Sequence, residues 1–120
     1  MAKLRNWPER SRFRYSRLGE EESYMPAYAV ADVEWHDEAQ HAKEAESFFQ
    51  ILEKYGGEFL VGSKDVKVFE GRWKPRTLVI LKFPDMKALQ AWYYSKEYAP
   101  LLAIRLKYAD SNAVAVERKE

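Results

Sequence analysis

Residues Thr77 to Phe83, TLVILKF, place the tightest constraint on how this chain can fold. The run is dominated by β-branched, leucine and aromatic side chains, which suit a central strand. Pro84 closes it because proline has no N–H for the ladder. The polar stretch Glu70 to Arg76, EGRWKPR, leads into it. A central strand needs a partner on each side, so the rest of the chain must supply a sheet.

It does so in a readable order. Tyr28 to His36 alternates as a strand. Tyr28, Val30, Asp32, Glu34 and His36 share one face, and Ala29, Ala31, Val33 and Trp35 share the other, more apolar one. The apolar face should meet helices. Asp37 is an N-cap for a helix that carries Ala42, Ala45, Phe48, Phe49, Leu52 and Tyr55 at helical spacing and ends at Gly56-Gly57. Phe59 to Val61 and Val66 to Phe69 read as short strands about a Gly62-Ser63-Lys64-Asp65 turn. Asp85 caps a second helix with Met86, Leu89, Trp92 and Tyr93 on one side. A third helix starts near Pro100 and runs to about Tyr108, and Ala113 to Val116 closes the sheet.

Strand, helix, strand pair, strand, helices, strand is the order of a ferredoxin-like split βαβ sandwich, an α+β fold with helices on one face of an antiparallel sheet. The other sheet face is left open. A second copy of the chain is the cheapest cover, giving a homodimer closed as an α+β barrel.

Composition bounds the function. The chain has 120 residues, enough for one domain. It has no cysteine, which removes disulfides and thiolate chemistry and suits a cytoplasmic setting. The net charge of +1 gives no global attraction to nucleic acid or anionic lipid. No apolar run approaches the ~20 residues of a membrane span. The Arg-rich beginning lacks the apolar core of a secretory signal. Residues 1–24 differ in composition from the domain at 25–120 and read as a basic, loosely ordered extension. Its segment Arg10 to Arg17, RSRFRYSR, mixes cations with rings that can stack on bases, but a solvated tail is the better account of it, and nucleic acid is not the expected partner.

From Met25 to Glu117 the chain resembles the domain of unknown function 1330 family, part of the dimeric α+β barrel superfamily. The resemblance rests on MPAYAVADVEWHD at 25–37, KYGGEFLV at 54–61, VFEGRWKPRTLVILKFP at 68–84, AWYYSKEY at 91–98, Arg105, and ADS at 109–111. It implies a ferredoxin-like fold, a sheet-to-sheet dimer and an unassigned biochemical role. The chain departs from the family pattern at Lys82, where an acid is usual, at Gly62, where an arginine is common, and at His41, where a tyrosine is common.

Three groups of residues can carry chemistry. Tyr28 and Asp32 share a sheet face with Arg76 and Lys82 on the neighbouring strand, and together they would frame an anionic or carbonyl ligand in the barrel interior. The same charges would serve equally as an ion pair that fixes register. Trp73 and Arg76 flank Pro75 in a loop suited to a ligand lip or an interface. Tyr98 and Arg105 are seven residues apart, with Arg105 able to hold a carboxylate or to pair with Asp110. The two histidines, His36 and His41, are not on one helical face, no zinc motif is present, and neither a metal nor a cofactor is expected. Haem enters only by analogy with the wider superfamily. These readings converge on a homodimer that binds a small organic ligand inside the barrel. One alternative is a cofactor-free oxygenase or isomerase with Asp32 or His36 as base, and another is a purely structural module.

Overall fold

A computed structural model of the protein describes residues 25–119. The expected extension at 1–24 lies outside them. Four strands and three helices follow in the order β1 (Ala27–Trp35), α1 (Glu38–Lys54), β2 (Glu58–Ser63), β3 (Leu78–Phe83), α2 (Met86–Tyr93), α3 (Ala99–Tyr108) and β4 (Ala109–Glu117). The sheet order is β2-β3-β1-β4, with β1 antiparallel to both β3 and β4 and β2 antiparallel to β3. This is the ferredoxin-like α+β arrangement, with β3 inserted between the two ends of the first βαβ unit.

Local chemistry sets the element ends. The Asp37 carboxylate accepts from Gln40 N–H at 3.1 Å and starts α1. Asp85 does the same for α2, accepting from Ala88 N–H at 2.8 Å. Pro100 occupies the first turn of α3, where its missing N–H costs nothing. The chain leaves α1 through Gly56, at φ +82°, and then Gly57. A Cβ on Gly57 would lie 2.4 Å from Leu52 Cδ1 and 2.8 Å from Phe83 Cε2, so the helix end can meet the sheet only through glycine.

The core lies between the sheet and the helices. Phe83, Trp92 and Tyr98 form its densest part, with Trp92 5.2 Å from Phe83 and 4.3 Å from Tyr98 between ring centroids. Among the described residues no helix covers the opposite sheet face: Val114 and Val116 stay 66 % and 55 % exposed.

One expected element is absent. Val66 to Phe69 forms no strand but belongs to the loop between β2 and β3. Phe69 is 93 % exposed, so no burial rewards an extended ladder there. Conversely, β4 begins at Ala109, four residues before its expected start, because Trp35 pairs with Ala109 and Glu34 with Asp110.

Gly57→Ala should destabilise the domain by about 1–3 kcal/mol, the usual cost of overpacking a filled site. Urea denaturation followed by circular dichroism measures it. Unchanged stability would mean that the α1–β2 corner relaxes freely.

Candidate functional site

The helix-facing side chains of β1 and β4 are mostly alanines: Ala29 and Ala31 on one strand, Ala113 and Ala115 on the other. Methyl groups cannot fill the space that the larger rings hold open between sheet and helices. The result is a cavity of about 860 Å³, within the roughly 300–1,000 Å³ usual for small-ligand sites. The sheet supplies its floor. Phe48 and Glu44 of α1, Trp92 and Tyr93 of α2, and Tyr98 and Arg105 at the two ends of α3 contribute to the wall and roof. Exposed Phe49, Lys64 and Tyr94 stand at its rim.

Two charged side chains are buried in this lining, Glu44 at 7 % and Arg105 at 9 % exposure. Burial pushes the Glu44 carboxyl up to about 7, with the Arg105 charge opposing the rise. Burial likewise pushes the Tyr98 hydroxyl up to about 12, with Arg105 opposing and Glu44 adding to it. The three groups therefore sense one another electrostatically. Yet among the described residues no direct ion pair joins Glu44 to Arg105. Arg105 Nε and Trp92 Nε1 are buried donors with no hydrogen-bond partner among the described residues. A buried orphan donor costs about 1–3 kcal/mol, and here both belong to residues that line one cavity.

The residues singled out in the sequence divide between the two sheet faces. Tyr98, Arg105 and Arg76 line the cavity, whereas Tyr28, Asp32, Trp73 and Lys82 do not. Tyr28 and Lys82 are direct cross-strand partners on the open face. Asp32 is four residues further along β1, opposite Leu78, and its partners come from the loop before β3. Its carboxylate accepts from Arg76 N–H at 2.8 Å and from Trp73 Nε1–H at 3.0 Å. The bond from the Arg76 backbone is the main cause that holds its carboxyl below the usual value. The Arg76 guanidinium continues to Glu34, with Nη1 2.5 Å from Oε1. Asp110 takes His36, not Arg105, at 3.0 Å.

Glu34, His36 and Asp110 could offer ligand atoms within 4.8 Å of one another. The trio is half-buried to exposed, and its members already have protein partners. His41 stacks on Trp35, with centroids 4.6 Å apart and planes 8° from parallel, at the cavity wall. Gly62 faces the same cavity, and the Phe59 ring covers it so closely that a Cβ would be 2.5 Å from Phe59 Cζ. Two of the three positions noted beside the family resemblance, His41 and Gly62, therefore line the cavity. The third, Lys82, is on the opposite face.

Glu44 and Trp92 were not among the sequence candidates. Glu44 is four residues before Phe48 and eight before Leu52, on the inward stripe of α1, which is a signal the sequence does contain.

Comparison with known families gives a match over residues 26–118 to a domain of unknown function, DUF1330. The chain belongs to the DUF1330 family. Comparison with curated proteins finds no match. Solved structures share the fold at low identity. A protein of unknown function from Rhodopseudomonas palustris aligns with a TM-score of 0.65 at 12 % identity, over 88 % of this chain and 92 % of that one. A hypothetical Arabidopsis thaliana protein aligns at 0.56 and 13 %, over 79 % and 88 %. SnoaB, a cofactor-independent oxygenase from Streptomyces nogalater, aligns at 0.53 and 11 %, over 82 % and 96 %. At such identities the likeness speaks for the fold alone.

Asp32→Ala should cost about 1–3 kcal/mol by leaving the Trp73 and Arg76 donors unpaired. The sign in pH follows from the depressed carboxyl. The stabilisation is complete above the ordinary Asp range and is lost as pH falls through the lower value of the folded state. Denaturation midpoints of the two proteins should therefore converge on acidification. Parallel midpoints would show that the Asp32 charge does not hold the loop.

Proposed function

We propose that this domain binds a small, flat, partly anionic organic molecule between its sheet and its helices, and that it works as a homodimer joined through the open sheet face. The cavity carries the first part of the reading. Rings from Phe48, Trp92 and Tyr93 suit an aromatic or conjugated body. Arg105, buried and without a direct acidic partner among the described residues, suits an anionic or carbonyl oxygen. The pocket so defined is on the helix side of the sheet rather than in the barrel interior, because the alanines are on that side.

The exposed apolar face supports the second part. Val114 and Val116 flank Val30 and Tyr28 in the β1–β4 register, and Ile80 continues the patch across β3. A soluble monomer seldom leaves such a face to water. The same patch on a second copy offers a like surface across a two-fold axis.

The fluorescent aromatic anion 8-anilinonaphthalene-1-sulfonate tests the pocket. Its emission should rise with the wild-type protein. The rise should weaken several-fold in Ala31→Phe, whose ring narrows the cavity, and likewise in Arg105→Gln. Equal emission from wild type and Ala31→Phe would place the dye elsewhere and remove the support for the pocket.

Analytical ultracentrifugation tests the dimer. The unmodified protein should sediment as a dimer at micromolar concentration, and Ile80→Asp should give monomer or aggregate. A stable monomeric wild type would end the dimer reading.

A further inference from the structure

We propose that the cavity performs proton transfer on a small enolisable carbonyl compound, with Glu44 as the group that takes and returns the proton and Arg105 as the counter-charge for the enolate oxygen. This rests on the pocket reading above and extends it from binding to chemistry.

Three observations lead there. Glu44 is a buried carboxyl in the lining of a cavity large enough for a substrate, on a helix rather than a loop, so its position is fixed. A glutamate placed there for stability alone would be expected to close an ion pair with the nearby arginine. It does not, and Arg105 keeps a buried donor unused. A carboxyl and a cation that line one cavity without a direct pair are both open to a carbonyl compound held there. The proton affinity of Glu44 also fits, since a carboxyl that ionises at about 7 can both accept and give back a proton near neutrality.

The step balances without a further reactant. The Glu44 carboxylate removes a proton from the carbon next to the carbonyl. The C–H bonding pair becomes the new C=C bond as the carbonyl π pair moves onto oxygen. Arg105 stabilises that oxygen, where charge develops. The protonated Glu44 then returns the proton to the same carbon or, in a conjugated substrate, to the far end of the system, which makes the net reaction an isomerisation. Other titratable groups around the cavity are Tyr98 from the start of α3, Tyr93 and Tyr94 at the end of α2, Glu38 and His41 earlier on α1, Lys64 after β2, and Glu34 and Arg76 at the sheet side. Tyr98, held up at about 12, stays neutral and protonated across the working range.

Deuterium exchange in D2O tests this, with 2-tetralone as a neutral probe and phenylpyruvate as an anionic one. Proton NMR follows loss of the α-hydrogens, and protein NMR shifts at Ala31 and Ala113 report binding separately. The wild type should accelerate exchange of at least one probe tenfold or more over buffer. Its rate should rise with pH through a midpoint near about 7 as Glu44 ionises. Glu44→Gln, which keeps the shape and the neutral form, should fall to the buffer rate. Glu44→Asp should recover part of the activity, and Arg105→Gln should lose most of it. Binding of a probe with no acceleration would overturn the proton-transfer inference and leave the pocket reading standing. Neither binding nor acceleration with either probe would overturn both. Acceleration that survives Glu44→Gln would overturn the role of Glu44.

Discussion

The spacing between sheet and helices is the constraint on which this molecule depends. Phe83, Trp92 and Tyr98 meet ring against ring and fix how far the helices stand from the sheet. Backbone layers cannot bend sharply over a few residues, so that distance persists along β1 and β4. There the helix-facing positions are alanines. A protein interior is packed as densely as an organic crystal, and a row of methyls opposite helices propped apart by indole and phenol rings cannot reach that density. The empty volume is therefore a consequence of which residues alternate along two strands, and its lining follows from the same alternation.

That volume explains how two charges survive in the interior. A buried carboxyl without a partner would be neutralised or expelled. Glu44 keeps its place because burial raises its carboxyl to about 7, towards the neutral form, and Arg105 moderates the cost of its charge. Arg105 in turn follows Tyr98 by seven residues, two turns along α3, so that both reach the same wall. The lining is thus polar where α1 meets α3 and aromatic where α2 closes it.

Much of this was legible in the residues. The caps at Asp37 and Asp85, the stop at Gly56-Gly57, the proline opening α3 and the two-residue period of β1 fixed the element order, and the order fixed the fold. The family followed from motifs that are mostly strand and turn residues, which is why it reported architecture better than chemistry. The side of the sheet that holds the cavity was harder. Parity showed which β1 residues share a face, but reading the face with Tyr28, Asp32 and Lys82 as the pocket assumed that polarity marks a cavity. Side-chain volume marks it instead, and that requires knowing which strands are neighbours: Ala113 and Ala115 matter only because they pair with Ala31 and Ala29. Glu44 was hidden for a similar reason. A glutamate in a charged helix looks solvated until the helix is docked.

Arg76 joins the two faces. Its backbone N–H is spent on Asp32 and its guanidinium on Glu34, both on the open side of β1, yet it also borders the cavity. The loop from Lys64 to Thr77 has little apolar burial of its own to hold it, with Val68, Phe69 and Trp73 all exposed. Its position at this end of the sheet depends largely on the bonds to Asp32. A buried carboxylate whose pKa is lowered by those bonds is a strong anchor because losing it strands two donors as well as a charge. Asp32 thus bears on the cavity without touching it, by setting where Arg76 stands at the rim, and the polar sheet face singled out in the sequence supports the cavity on the other side.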